Sequence, residues 1–300
     1  MGLLKSASRS TTKSLTQTGT SSPERNGSEM TCITDWDGRL EGMSQLLDLA
    51  AIETLPSFRQ GPSIASAKSD GTLVTEVDRR TEQQMRAWLA NHFPEDGILG
   101  EECPPQKGSS SWTWVIDPID GTASFSHQVP LWGTLLALRR HSKPVAGACS
   151  LPALNLAASG THTKAHTNAD GETRLITARP SMLPLEEATL VTTGWDYFRM
   201  AGVEAAYPAL AQRAGRTKGW SDCYGLWLLL AGRVDVVVEP LLHPWDIEWL
   251  VPLAQAAGIR VTDWHGEDAL SPHQCIVSHG GPLHEQVAEV LKEHATPRVN

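Results

Sequence analysis

The chain has 300 residues, with 25 Lys or Arg against 34 Asp or Glu, and a formal net charge of −9. A chain of this length buries roughly three quarters of its unfolded surface, which excludes a single small module and allows one large domain or two closely packed ones. The acidic balance without a basic cluster argues against nucleic-acid and anionic-membrane partners, because phosphate backbones are bound by clustered Lys and Arg. A small ligand, with cations as one means of bridging it, fits the composition better.

The first 22 residues are rich in Ser and Thr, with three basic residues and no acidic ones. Such a segment cannot support a hydrophobic core, and we interpret residues 1–38 as a disordered leader. It also resembles a transit peptide, while an upstream start site explains it equally well. No apolar stretch reaches the ~20 residues of a membrane-spanning helix, and the five widely spaced cysteines suit a reducing compartment. We therefore expect a cytoplasmic protein, with organelle targeting left open by the leader.

Apolar periodicity in the first half predicts helices followed by strands. The spacing predicts a helix over 40–58, a turn over 68–71 and a helix over 77–92 with Thr75 as its N-cap. Short runs rich in β-branched and aromatic residues predict strands at 112–116, 131–138 and 145–151. The Thr- and Asn-rich segment around His162 and His166 has turn character.

The second half alternates between strands and helices. Strands are predicted at 189–192, 234–238 and 275–278, and helices at 203–211, 224–231, 245–257 and 283–291. This order is typical of an α/β protein. A boundary near residue 180 divides it into two predicted subdomains, 39–180 and 181–300.

The sequence Asp-Pro-Ile-Asp-Gly-Thr at 117–122 begins where a predicted apolar strand ends. Ligands of α/β sheets bind at such strand ends. Pro118 fixes one φ and Gly121 permits a close backbone approach, so Asp117 and Asp120 can converge on one point. A tight Asp-Gly turn with solvated acids is the alternative, but it explains an isolated Asp-Gly better than a six-residue motif after an apolar strand.

Three further acidic positions are each ambiguous when taken alone. Glu101 belongs to a Gly-Glu-Glu sequence that also suits a solvated loop. Asp246 follows Trp245 in a predicted first helical turn, where it can serve the helix dipole, and Asp78 can complete a capping box with Thr75. Together with 117–122 they supply the hard carboxylate oxygens that Mg²⁺ requires, in a chain without a Cys/His cluster of zinc type.

These motifs, 100–102, 117–122 and 245–246 in this order, resemble those of the inositol monophosphatase family of Mg²⁺-dependent, Li⁺-sensitive phosphatases. The resemblance extends from about Leu40 to the C-terminus, and the stretches 131–135, 192–198 and 221–225 are most similar to the histidinol-phosphatase branch. It implies a layered α/β fold, an alternating α-β-α-β-α sandwich, and leaves a homodimer open as the assembly.

The resemblance also implies the reaction, hydrolysis of a small phosphate ester. Histidinol phosphate is the first expectation for the substrate, and inositol phosphate or another sugar or nucleotide phosphate is the alternative. A non-catalytic binding protein that keeps the fold is the alternative of another class. The intact set of acids together with Thr122 favours the enzyme.

The implied cofactor is Mg²⁺, with two or three ions in each active site. By the resemblance, one ion is held by Glu101, Asp117 and the carbonyl of Ile119, and a second by Asp117, Asp120 and Asp246. Glu101 also counts among the catalytic residues. Ions placed in this way would neutralise the phosphoryl oxygens and activate water.

The remaining roles are carried over in the same way. Thr122 and Asp78 match the pair that orients and deprotonates the attacking water, and the amides of Gly121 and Thr122 would receive the phosphate. Glu239 and Asp222 are the expected substrate contacts. For Glu239, the polar end of a strand is an equally good explanation.

Two segments depart from the histidinol-phosphatase pattern. Residues 152–160 lack the charged and aromatic side chains expected after the corresponding strand, and Ser221 stands where glycine is usual. Neither departure affects an implied metal ligand. Both bear on which ester is the substrate.

Overall fold

The computed structural model describes residues 35–68, 72–270 and 272–296. The helices in these ranges are α1 (Asp35–Arg59), α2 (Glu76–His92), α3 (Thr122–Ser126), α4 (Trp195–Met200), α5 (Ala206–Arg213), α6 (Asp222–Leu230), α7 (Pro244–Ile247), α8 (Leu250–Ala257) and α9 (Pro282–Lys292). A short 3₁₀ helix covers Leu185–Glu187. In the described part of the chain, no helix combines the length and apolar character needed to cross a membrane.

The strands fall into three sheets. A two-stranded hairpin contains β1 (Ser66–Ala67) and β2 (Leu73–Val74). A seven-stranded sheet contains β3 (Gly97–Gly100), β4 (Trp112–Asp120), β5 (Gly133–Arg140), β6 (Lys143–Leu151), β7 (Leu156–Thr161), β8 (Ala165–Ala169) and β9 (Glu172–Leu175). A five-stranded sheet contains β10 (Thr189–Thr192), β11 (Arg216–Lys218), β12 (Val236–Glu239), β13 (Arg260–Thr262) and β14 (Cys275–Ser278).

The two large sheets differ in strand direction. The seven-stranded sheet follows chain order from β3 to β9, with only the β3–β4 pair parallel. The five-stranded sheet has the order β11-β10-β12-β14-β13, with β10 parallel to both of its neighbours. Its two pairs that involve β14 are antiparallel.

Helices and sheets alternate in five layers. Helices α1 and α2 cover one face of the seven-stranded sheet, and α6 and α8 lie between its other face and the five-stranded sheet. Helices α5 and α9 cover the far side of the five-stranded sheet. The expectation of an α-β-α-β-α sandwich is confirmed.

The middle helical layer packs closely against the seven-stranded sheet. A Cβ atom at Gly147 on β6 would lie 1.8 Å from the carbonyl oxygen of Trp249, which directly precedes α8. Only glycine permits this approach of backbone to strand. The largest hydrophobic cluster contains residues of both halves of the chain, among them Leu135, Trp227 and Leu253.

Several predicted elements agree with the structure at residue level. Strands β10 and β14 have the predicted bounds. Helix α2 begins after Thr75, whose side chain accepts hydrogen bonds from the amides of Val77 and Asp78 while Asp78 accepts from the Thr75 amide. This is the predicted capping box, and it satisfies amides at the helix start.

Other predictions were wrong. The single helix expected over 245–257 is two helices, α7 and α8, and at their junction the indole of Trp249 donates to the carbonyl of Asp246 (3.1 Å). The segment expected to turn around His162 and His166 instead contains strand β8, which pairs with β7 and β9. Strand β9 is exposed, and β7 and β8 are mostly half-buried but consist largely of small and polar residues, so they lack the strong apolar alternation that predicts a strand.

The predicted leader, turn and subdomain boundary can be compared with the structure. Residues 35–38 of the predicted leader are the first turn of α1, and residues 1–34 lie outside the described residues, as do 69–71 of the predicted turn. The subdomain boundary at 180 falls in the connection between β9 and the 3₁₀ helix, so it separates the strands of the two large sheets.

Candidate active site

An acidic pocket of about 300 Å³ lies where the end of β4, the starts of α6 and α7, and the end of β12 meet. We call four of its acidic lining residues the metal half: Glu101, Asp117, Asp120 and Asp246. We call a second set the distal half, Thr193, Tyr197, Asp222 and Glu239. The seven-stranded sheet contributes Asp117 and Asp120 to the metal half, and the five-stranded sheet contributes Glu239 to the distal half.

Asp117 and Asp120 converge because the strand is irregular between them. Pairing of β4 with β5 shifts register between these two residues, and the carbonyl of Pro118 is fixed by the hydroxyl of Thr134 (2.9 Å). A carboxylate oxygen of Asp117 accepts a hydrogen bond from the amide of Ile119 (3.0 Å). Gly121 then turns the chain with φ +82°, a value that favours glycine, and α3 begins.

Glu101 reaches the pocket from the loop after β3. Its carboxylate accepts a hydrogen bond from the ammonium of Lys68 (2.5 Å), which also donates to Glu102 (2.7 Å). Burial alone would lower the pKa of Lys68, but Glu101 and Glu102 raise it above its usual range, so the side chain stays charged. The metal half is therefore partly neutralised by a fixed cation.

Asp246 enters from the C-terminal half of the chain at the start of α7. One of its carboxylate oxygens accepts from the amide of His243 (2.7 Å), which caps the helix and orients the side chain. The ring of His243 stacks on Trp245, with centroids 4.9 Å apart. Both of these rings line the pocket.

The donor set of the metal half suits a divalent cation. Oxygen atoms of Asp117, Asp120 and Asp246 all lie within 4.8 Å of one another. Burial raises the pKa of Asp120 to about 6, and burial together with the neighbouring acids raises the pKa of Asp117 and of Asp246 well above the usual range. Converging hard oxygens that repel one another without a cation are the donors that Mg²⁺ prefers.

Asp78 and Thr122 form a hydrogen-bonded pair beneath the pocket. The hydroxyl oxygen of Thr122 lies 3.1 Å from Oδ1 of Asp78 and 3.1 Å from the carbonyl oxygen of Ile119. Oδ2 of Asp78 accepts from the amide and the hydroxyl of Thr75. Burial raises the pKa of Asp78, although these hydrogen bonds lower it in part. Asp78 thus has both structural and chemical partners, so its capping role and a role in the site coexist.

The distal half has a different construction. Glu239 ends β12, is 2% exposed, and accepts a hydrogen bond from the hydroxyl of Ser221 through Oε1. Its Oε2 atom and the hydroxyl of Thr193 have no hydrogen-bond partner of normal geometry in the described ranges, although Thr193 lies close enough to lower the pKa of Glu239 in part. Asp222 begins α6 with φ +54°, in the left-handed region that Asp adopts more readily than most residues other than glycine. Burial raises the pKa of Glu239 to about 8.

All ten residues predicted from the sequence meet at this pocket. Nine of them line it, and Asp78 lies directly below Thr122. The roles carried over from the resemblance remain predictions. Sequence reasoning missed Lys68, Thr193, Tyr197 and His243 as pocket residues. Thr193 directly follows a parallel strand, which was the available signal for it.

Two tryptophans that lie in or beside the stretches 192–198 and 221–225 are not pocket residues. Trp195 is 50% exposed and Trp220 is 43% exposed, and neither lines the pocket. The aromatic walls are Tyr197 and Trp245 instead.

A layered α/β fold with clustered carboxylates at the end of an apolar strand suits the metal-dependent hydrolysis of phosphate esters, and this is the class of protein that the site indicates. The profile of the Inositol monophosphatase family matches residues 41–296, and the chain belongs to this family. It is accordingly a phosphoric monoester hydrolase. The family uses metal ions, Mg²⁺ among them, in agreement with the acid cluster at Asp117, Asp120 and Asp246.

Known proteins of two substrate types are similar to this chain. A histidinol-phosphatase of Chlorobaculum parvum is 33% identical over 235 residues, which cover 78% of this chain and 89% of the relative. A histidinol-phosphatase of Mycobacterium tuberculosis is also 33% identical, covering 73% of this chain and 85% of that protein. An inositol monophosphatase structure from Zymomonas mobilis superposes with a TM-score of 0.72 at 32% identity, covering 86% of this chain and 99% of its own.

Proposed function

We propose that this phosphatase hydrolyses histidinol phosphate to histidinol and inorganic phosphate. The observation that carries the proposal is the acidic distal half, where Asp222 and Glu239 lie near Tyr197 in a pocket that Trp245 also lines. Histidinol phosphate has an ammonium group and an imidazole, whereas inositol phosphate has a ring of neutral hydroxyls. Carboxylates and aromatic walls suit the first ligand better.

The metal half would hold two or three Mg²⁺ ions. Glu101, Asp117 and the carbonyl of Ile119 would bind one ion, and Asp117, Asp120 and Asp246 a second. Bound Mg²⁺ supplies charge neutralisation of the phosphoryl oxygens and of the leaving alkoxide, and a lowered pKa for a coordinated water. This chemistry addresses a reaction that is among the slowest known without a catalyst.

The protein's own groups orient the attacking water and accept its proton. In this proposal the hydroxyl of Thr122 accepts a hydrogen bond from that water, and the proton is relayed to Oδ1 of Asp78, 3.1 Å from the hydroxyl oxygen. The hydrogen bonds from Thr75 keep Oδ2 of Asp78 occupied, so Oδ1 is the atom left to act as base. The water oxygen bonds to phosphorus, the ester P–O bond breaks, and the leaving oxygen takes up a proton from solvent, while Asp78 later releases the proton that it accepted back to solvent.

The distal half would bind the leaving group. Oε2 of Glu239, buried and without a partner in the described ranges, is suited to accept a hydrogen bond from the substrate ammonium. An unpaired buried acceptor is costly, so a substrate that supplies the missing donor is favoured over one that does not. Gly121 and Thr122 would provide backbone amides to the phosphate.

Inositol 1-phosphate is the second candidate. The 32% identity with an inositol monophosphatase of Zymomonas mobilis favours it, and so do the departures at 152–160 and Ser221 from the histidinol-phosphatase pattern. Its hydroxyls could pair with Thr193, whose hydroxyl has no partner in the described chain.

We further propose a cytoplasmic location for the enzyme.

The decisive experiment compares kcat/KM for histidinol phosphate, inositol 1-phosphate, fructose 1,6-bisphosphate and adenosine 3′,5′-bisphosphate at saturating Mg²⁺. We expect histidinol phosphate to rank first and its lead to narrow in Glu239→Gln and Asp222→Asn. A clear preference for a neutral polyol ester would overturn the substrate while leaving the phosphatase class intact.

A further inference from the structure

Glu82 is a buried carboxylate that the proposed chemistry does not use. It lies on α2, one helical turn after Asp78, and is fully shielded from solvent (0% exposed). It does not line the acidic pocket. Buried carboxylates are retained at a cost unless their oxygens are hydrogen-bonded, so the partners of Glu82 indicate what it does.

The partners of Glu82 are backbone groups of the loop that carries Glu101. Oε2 accepts a hydrogen bond from the amide of Glu102 (2.7 Å), and Oε1 accepts from the amide of Cys103 (3.2 Å). Oε1 also accepts from Nε of Arg86 (2.7 Å), and Arg86 in turn donates to the carbonyl of Cys103 (3.1 Å). Hydrogen bonds from amides to a carboxylate are stronger than neutral ones and fix geometry.

The residue before Glu101 is shaped to this carboxylate. A Cβ atom added to Gly100 would lie 2.1 Å from Oε1 and 2.4 Å from Cδ of Glu82, so the backbone rests directly on the carboxylate. Gly100 is the end of β3, and the loop leaves the sheet at this point. The chain on both sides of Glu101 is therefore held from beneath by one side chain.

We propose that Glu82 is a positioning residue that sets the place of Glu101 relative to Asp78. Asp78, the proposed base, and Glu82 both lie on α2. Because Glu82 binds the amides of Glu102 and Cys103, the same helix also fixes the position of Glu101, a proposed metal ligand. Without the carboxylate, the loop loses the hydrogen bonds of two successive amides and keeps those of Glu101 with Ile116 and Lys68 and of Cys103 with Arg86, so Glu101 is held less firmly beside Asp117. This inference rests on the proposed metal role of Glu101 and is independent of the substrate.

The test measures binding of Mg²⁺ and Mn²⁺ by titration calorimetry on the full chain, without substrate. Glu82→Gln keeps the size of the side chain but replaces one accepting oxygen with an NH₂ group, which would face the N–H groups that now donate to the carboxylate. It should weaken metal binding about ten- to hundredfold, the range seen when groups that orient metal ligands are removed. Activity at saturating Mg²⁺ should recover towards that of the unaltered protein, because the defect is in the placement of a ligand.

Asp96→Asn is the matched control. Asp96 is also buried (2% exposed) and also accepts charged and neutral hydrogen bonds, from Arg39, Ser110 and the indole of Trp114, but none from residues 100–103. It should lower the melting temperature and leave metal affinity unchanged.

Gly100→Ala is the second variant, for the case in which Glu82→Gln does not fold. Its added methyl group would push the loop off the carboxylate, and it too should weaken metal binding. Wild-type affinity in either folded variant, or an equal loss in Asp96→Asn, would overturn the positioning role. Absence of binding in the unaltered protein would overturn the metal assignment as well, whereas a wrong substrate would leave all these titrations unaffected.

Discussion

The metal half of the acidic pocket holds two of its carboxylates by nearby amides, whereas Glu239 of the distal half is held by a residue distant in sequence. In the metal half, Asp117 and Asp246 accept hydrogen bonds from amides two or three residues away in the chain. The other two carboxylates of that half, Glu101 and Asp120, accept from Lys68 and from the amide of Cys223, which are distant in sequence. In the distal half, Glu239 is held by the hydroxyl of Ser221, which is distant in sequence, and Asp222 has a left-handed backbone conformation. Local amides fix a carboxylate wherever the motif occurs, while a contact between distant side chains depends on the particular protein. In the proposed function, the metal half carries the reaction and the distal half selects the substrate.

Breaking the metal half should have the largest effect. Asp117→Asn is expected to lower kcat by at least ~10³-fold, comparable to removal of a major electrostatic stabiliser of a transition state. The amide oxygen of the variant can still accept from Ile119, so the fold should persist. Because the change removes one of several mutually repelling acids, the metal-free protein should melt no lower than the unaltered chain at pH 8. Steady-state kinetics and thermal melting check the two expectations, and a variant with normal kcat would exclude Asp117 as a metal ligand.

A substitution in the hydrogen-bonded pair of Asp78 and Thr122 should slow the chemical step. Thr122→Ala is expected to reduce kcat by about 10²-fold or more with a small change in KM, because the hydroxyl acts on water rather than on bound substrate. Thr122→Ser supplies the control, since it retains the hydroxyl. Full kcat in the alanine variant would show that the proton takes another route.

Metal removal should expose the electrostatic difference between the halves. Burial raises the pKa of Glu101 to about 7, of Asp120 to about 6 and of Glu239 to about 8, above their values in an unfolded chain. The folded state then binds more protons, so this contribution to stability is present at low pH and is lost as pH rises through these values. We expect the melting temperature of the metal-free protein to fall by roughly 5 °C or more between pH 5.5 and 8.5.

Added Mg²⁺ should remove most of that slope, because a bound cation favours the ionised acids of the metal half. The part that belongs to Glu239 should remain near pH 8 and should disappear in Glu239→Gln. Melting curves across this pH range, with EDTA or with Mg²⁺, separate the two contributions. A melting temperature that rises with pH in EDTA would contradict the assignment of buried, repelling acids.

The smallest effect is expected at Ser221. Ser221→Gly removes the hydroxyl that holds Oε1 of Glu239, and we expect KM for histidinol phosphate to rise about three- to tenfold, the equivalent of one hydrogen bond, with kcat nearly unchanged. KM for inositol 1-phosphate should change less. Equal changes for both esters would mean that Ser221 does not act through the substrate contact of Glu239.

The predictable parts of the molecule are those governed by neighbours in sequence. The start of α2 followed from Thr75 and the convergence of Asp117 and Asp120 followed from their own turn, because the atoms that fix them are a few residues away. The strands β7 to β9 were missed because their pairing with each other, and not an apolar stripe, stabilises them. Lys68 was missed for a related reason. Its partners Glu101 and Glu102 are more than thirty residues away and meet it only through the fold.

The pocket contains residues from both sides of the connection at 176–184, so cleavage there would give two fragments that each carry part of the site. Asp117 comes before the connection at 176–184 and Asp246 after it, and Met182 in that connection is 78% exposed. Exposed connections are where proteases cut first. The contact of Gly147 with Trp249 and the shared apolar core would keep the two fragments together after such a cut. A protein nicked there would run as two bands on a denaturing gel and still bind its cations as one body.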